Sequence, residues 1–203
     1  DTPPYTGNTE SWDNSSWTEV GDLNTARREM GRAGASNTSG LVAGGYASPG
    51  YQGIVETWNG ASWTEVGDLN TARSGLSGAG IVTAAIVAAG DTPPRTVNAE
   101  VWNGSSWTEV NNLNTGRFYG ATTGLSSTDA LLFGGLAAPG VTANTESWNG
   151  TSWTELNNLA TARESIGGAG SSGSSALASG GNPITAATEE WSFAHPLKTI
   201  DVS

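Results

Sequence analysis

The stretch Trp58-Asn-Gly-Ala-Ser-Trp63-Thr-Glu-Val-Gly-Asp-Leu69-Asn-Thr-Ala-Arg73 decides the fold, because the chain writes it four times with small changes. Its first tryptophan falls at Trp12, Trp58, Trp102 and Trp148, with a degenerate fifth copy at Trp191, in steps of 46, 44, 46 and 43 residues. The second falls at Trp17, Trp63, Trp107 and Trp153, and the closing arginine at Arg27, Arg73, Arg117 and Arg163. A period near 45 suits a four-stranded propeller blade and is too long for a leucine-rich repeat.

Residues 73–110 show how one unit divides. A small-residue stretch, Ser74 to Ile81, is followed by an apolar run, Ala84 to Ala89, ending at Gly90. A variable loop, Asp91 to Val97, leads to two short strands, Ala99 to Trp102 and Ser106 to Val110. Asn103-Gly104 lies near their junction, and Asn-Gly is a strong hairpin signal. Four strands per unit, lettered a to d from the axis outward, make the expected fold all-β: a β-propeller of four or five blades. The small count follows from strand a. Gly34, Gly80, Gly124 and Gly170 each stand the same distance past the repeated arginine, and side chains at the axis must shrink as blades become fewer. The tryptophans of strands c and d fill the volume where blades splay, each contributing on the order of 4–5 kcal/mol gross.

The chain is expected to divide into a half blade over 1–26 with strands c and d only, full repeats over 27–72, 73–116 and 117–162, and a last blade with a tail over 163–203. The N-terminal pair is expected to complete the last blade. A fifth blade with inner strands elsewhere, or pairing of the half blade with another subunit, are the alternatives, since open edges invite association. A glutamate stands two residues before each first tryptophan: Glu10, Glu56, Glu100, Glu146 and Glu189. Because these acids and the arginines repeat as faithfully as the tryptophans, they are expected to form structural Glu–Arg or Arg–carbonyl ties in every blade.

Composition narrows the function. The net charge of −11 repels phosphate backbones and argues against nucleic acid. The absence of cysteine removes disulfides, thiolate metal sites and a cysteine nucleophile. No run of about 18 apolar residues is available to span a membrane as a helix.

The repeats resemble the kelch family. Paired glycines follow strand b at Gly44-Gly45, Gly134-Gly135 and Gly180-Gly181, and are broken at Ala89-Gly90. Strand d carries its tryptophan, while strand c has tryptophan where the family usually has tyrosine. Leu-Asn-Thr-Ala-Arg replaces the usual Met-Pro linker, so that only the arginine matches. The wording Trp-Asn-Gly-Ser-Ser-Trp-Thr-Glu-Val resembles repeats of predicted proteins in tailed bacteriophages and aquatic bacteria. That resemblance implies a virion appendage, such as a tail fibre or decoration protein, at the virion surface or otherwise extracellular. The other reading is a bacterial secreted or cell-surface adhesion or scaffold module.

Chemistry is sparse. Galactose oxidase, a kelch-type enzyme, needs paired histidines and a Tyr–Cys crosslink, whereas this chain has one histidine, His195, and no cysteine. A sialidase-type site needs an arginine cluster, but here the arginines lie one per repeat. No calcium loop, Walker motif or dinucleotide glycine motif appears. The expectation is therefore a non-catalytic chain with no cofactor and no metal. Asn14, Asn37, Asn103 and Asn149 begin Asn-x-Ser/Thr sequons. Recognition should break the repetition that structure imposes. The b–c loops and the residues just after each repeated arginine do so on one rim. There Arg28, Tyr46, Tyr51, Arg95, Phe118 and Tyr119 are suited to stack on a host-surface glycan or contact a protein. Partners are expected to be that ligand, other virion or surface proteins, and a second copy through the half blade.

Overall fold

A computed structural model describes residues 5–192; His195 and the rest of the expected C-terminal tail lie outside them. Among the described residues all regular structure is β-strand. A hairpin comes first, β1 (Thr9–Trp12) with β2 (Trp17–Val20). The first full blade is β3 (Gly31–Ser36), β4 (Ser39–Ala43), β7 (Val55–Trp58) and β8 (Trp63–Val66), with a small ribbon, β5 (Tyr46–Ala47) and β6 (Gly50–Tyr51), in its b–c loop. The second is β9 (Ser77–Ile81), β10 (Ala84–Ala88), β11 (Ala99–Trp102) and β12 (Trp107–Val110). The third is β13 (Ala121–Ser126), β14 (Asp129–Phe133), β15 (Thr145–Trp148) and β16 (Trp153–Leu156). The fourth has three strands, β17 (Gly167–Ser172), β18 (Ser175–Ser179) and β19 (Thr188–Ser192). Each sheet is an antiparallel meander in chain order, and the four blades form a propeller.

Strand b reads as an unbroken apolar run because both of its faces are covered. Leu41 and Ala43 of β4 share one core with Ala85, Val87, Trp102 and Trp107 of the next blade. Ile86 and Ala88, on the other face of β10, share a second core with Leu132, Trp148 and Trp153. In each c–d hairpin the two tryptophans are register partners, as Trp102 and Trp107 are, with ring centroids 5.3 Å apart. The first indole also donates to the a–b turn: Trp58 Nε1 to Asn37 O at 3.0 Å, Trp102 Nε1 to Val82 O at 2.9 Å and Trp148 Nε1 to Ser127 O at 2.9 Å.

The four strands a surround a channel walled largely by Gly34, Gly78, Gly80, Gly124, Gly168 and Gly170. Gly80 has φ +106°, and a Cβ there would strike the Ala84 carbonyl across the hairpin. This close approach, rather than composition alone, demands glycine. At Ala89, where the sequence breaks the glycine pair, the backbone still takes the left-handed conformation, φ +62° against +63° for Gly44.

The seams run β3 on β9, β9 on β13 and β13 on β17, and β17 does not return to pack along β3. The expected completion of the last blade by the N-terminal pair is not made. β18 takes β19 as its third strand, and the β1–β2 hairpin lies on the first blade. There Trp63 Nε1 donates to Thr9 Oγ1 at 3.0 Å and Asn37 Nδ2 to the Trp12 carbonyl at 3.2 Å. The reason is local: β19 is the next segment in the chain and fills the c position first.

Candidate functional site

The repeated charges are structural ties. Arg27 pairs with Glu56, Arg73 with Glu100 at 2.5 Å, Arg117 with Glu146 at 3.1 Å and Arg163 with Glu189 at 2.8 Å. In three of the four both side chains are fully buried. The linker asparagine completes each of these three, as when Asn70 donates its backbone N–H and its side-chain amide to Glu100 Oε2, both at 2.7 Å. Asn24 and Asn114 do the same to Glu56 and Glu146. Burial works against ionisation of Glu56, but hydrogen bonds from Arg27 and Asn24 outweigh it and hold the carboxyl below its ordinary range. Burial pulls Arg117 down, opposed by the Glu146 charge. The asparagine was in plain view as the second residue of Leu-Asn-Thr-Ala-Arg, and its fixed spacing from the arginine was the available signal.

On the rim a constant backbone carries variable side chains. In every blade an isolated bridge joins the residue after the arginine to the residue after the glycine pair: Arg28 to Tyr46, Ser74 to Asp91, Phe118 to Leu136 and Glu164 to Asn182. The next residue, Glu29, Gly75, Tyr119 or Ser165, has positive φ in all four blades. These residues are linked head to tail about the axis: Gly75 N donates to Glu29 O at 2.8 Å, Tyr119 N to Gly75 O at 2.9 Å and Ser165 N to Tyr119 O at 2.8 Å.

All six expected rim residues are half-buried or exposed and fall into two linked groups. In the first, the Arg28 guanidinium lies 5.5 Å from the Tyr5 ring centroid and 5.4 Å from that of Tyr46, and Tyr46 meets Tyr51 edge-on at 5.7 Å. In the second, Arg95 lies 4.9 Å from the Phe118 ring, which contacts Tyr119 at 4.4 Å. Two carboxylates that the sequence reading did not select join the groups. Tyr51 Oη donates to Asp91 Oδ2 at 2.7 Å, which with burial pushes its phenol up to about 12. Glu29 accepts from Ser74 Oγ at 3.1 Å, and burial together with a hydrogen bond to Glu29 pushes Tyr119 up to about 12. Tyr5 was also missed, because it precedes the first repeat. The outcome is one strip of rings, guanidinium groups and carboxylates over three blades. Such a strip offers stacking faces and hydrogen-bonding groups to a polar ligand.

Among the described residues, no three His, Cys, Asp or Glu side chains are grouped to hold a metal ion. No helix among them is long and apolar enough to cross a membrane.

No protein-family model matches the sequence, and no curated protein is significantly similar to it. Among solved structures the chain is similar to one described as the structure of YjhT, with a TM-score of 0.67 and 15% identity over 88% of this chain and 73% of that one. At that identity the likeness shows a shared fold.

Proposed function

We propose that the chain is a non-catalytic recognition module whose rim strip, from Tyr5 and Arg28 through Tyr51 and Asp91 to Phe118 and Tyr119, binds a glycan on a host surface. The propeller fold fits a non-catalytic binding module. The observation that carries the finer reading is the contrast on the rim. One backbone frame is kept in four blades, while the side chains on it change from Arg and Tyr to Phe and Leu. A frame kept only for stability would have no need to carry aromatic rings in two of its four copies. Rings flanked by carboxylates and guanidinium groups match sugars, which have apolar faces edged with hydroxyls. The setting we propose, a virion appendage, is supported by the resemblance of the repeat wording to that of tailed-phage proteins. Gene neighbours encoding tail or capsid proteins would support it, and a surface-sorting signal on the gene would favour the bacterial adhesion reading.

The test is binding of the purified chain to a glycan array and to intact candidate host cells, alongside Tyr51→Ala and Phe118→Ala. Each variant should weaken the wild-type signal at least tenfold with an unchanged melting temperature. Wild-type binding that both variants retain would remove this face from consideration, and binding to protein in place of glycan would correct the ligand class.

A further inference from the structure

The two ends of the blade array are complementary to one another. Every internal seam is closed by two backbone hydrogen bonds. One runs from a blade's glycine N–H to the next blade's arginine carbonyl, as Gly45 to Arg73 at 2.8 Å, Gly90 to Arg117 at 2.8 Å and Gly135 to Arg163 at 2.9 Å. The other runs back to the preceding blade, as Gly75 N to Glu29 O. Among the described residues, Gly181 N–H and Ser165 C=O on the fourth blade have no such partner, nor do Arg27 C=O and Glu29 N–H on the first. A donor and an acceptor on one end thus match an acceptor and a donor on the other.

Side chains tell the same story. Leu41, Ile86, Leu131 and Leu177 hold equivalent register positions in the four strands b, yet are 1%, 2%, 1% and 45% exposed. Trp12 and Trp17 are 41% and 65% exposed, whereas Trp102 and Trp107 are 2% and 7%. Glu10, the remaining repeated glutamate, is exposed and has no arginine beside it among the described residues. The fourth blade meanwhile has no strand d among the described residues. Its c–d side opens into a cleft bounded by Leu131, Phe133, Leu159, Ala176 and Trp191. In the neighbouring core, Leu113 packs in one cluster with Trp153 of the following strand d, and Leu159 holds the equivalent linker position beside this cleft. The strand that fills position c, β19, carries the least buried of the ion-paired glutamates: Glu189 is 25% exposed where Glu56, Glu100 and Glu146 are buried.

We propose that this chain self-associates head to tail by strand exchange. The β1–β2 hairpin of one copy pairs with β18 of a second copy and displaces its β19. Glu10 then meets the second copy's Arg163, Trp12 takes the place of Trp191, and Trp17 enters the cleft. The pairing also brings Gly181 N–H of the second copy to Arg27 C=O of the first, and Ser165 C=O to Glu29 N–H, closing the open seam. A second copy suits this better than the chain's own fourth blade. The hairpin is already seated on the first blade, and within one chain β17 does not pack along β3. Such heterologous contact builds rings or filaments. This inference does not depend on the glycan reading.

The chain has no native cysteine, which makes the test direct. Aligning Trp12 with Trp191 sets Ser11 opposite Leu177, the position now held by Glu190. Full-length Ser11→Cys and Leu177→Cys chains, mixed under oxidising conditions, should form a disulfide-linked heterodimer. Native mass spectrometry of the wild type should show oligomers that grow with concentration. The exposed pair Trp12→Ala with Trp17→Ala should raise the concentration needed at least tenfold. A wild type that stays monomeric at every concentration, with no mixed disulfide, would overturn the proposal. So would a doubly substituted chain that forms only an internal, monomeric crosslink, since that is closure within one molecule.

Discussion

Substitution Arg73→Ala should destabilise the protein by about 3–5 kcal/mol, the range for removing one partner of a buried ion pair. Arg73 and Glu100 have side-chain exposures of 0% and 1%, so removing the guanidinium leaves a buried carboxylate without its countercharge, and the full cost of an uncompensated buried charge applies. Arg163→Ala is the internal control, because Glu189 remains 25% exposed and is solvated in part. Its cost should be about 1–2 kcal/mol. A second control separates charge from packing. Arg73→Met with Glu100→Gln removes both charges and keeps an acceptor for the two Asn70 donors, so it should recover most of the loss. Urea unfolding followed by tryptophan fluorescence reports each value through the midpoint, provided the slope is unchanged. Equal losses for Arg73→Ala and Arg163→Ala, or no recovery in the double variant, would refute the argument that an unpaired buried charge dominates.

Two further outcomes follow from the same geometry. Trp102→Ala removes an indole that is 2% exposed and its hydrogen bond to the Val82 carbonyl, and should cost about 3–5 kcal/mol by thermal or urea melts; Trp17→Ala, at 65% exposure, should cost little in a dilute monomer. The Glu56 carboxyl is held below its unfolded value, so its contribution is fully present above about pH 4.3 and is lost as pH falls through the folded value; Glu56→Gln should flatten the acid limb of a stability–pH profile in that window.

Much of the architecture is legible in the sequence, for a physical reason. A repeat near 45 residues that carries two tryptophans and two charges reports contacts made within a blade or with the adjacent blade. Such contacts recur wherever the unit recurs. The Arg–Glu ties were expected on that ground, and they form in all four blades. The rim residues were found by the opposite signal, departure from the repeat, and Tyr46, Tyr51 and Phe118 do lie on one face. Asp91, Glu29 and Tyr5 were not selected, since each joins the strip through a partner on another blade or from outside the repeats.

What the sequence by itself determined is thus whatever one unit and its neighbour decide: four antiparallel strands, tryptophans between blades, glycine at the axis and a carboxylate for each arginine. What only the tertiary structure decided is how the series ends. Thr9-Glu10-Ser11-Trp12 and Thr188-Glu189-Glu190-Trp191 are near-equivalent claimants to the c position of the last blade, and strand pattern alone cannot rank them. Chain connectivity ranks them, because β19 follows β18 directly while β1 is already held by Trp63 on the first blade. That competition depends on which surfaces are in reach once the blades are stacked, and no local pattern carries this information.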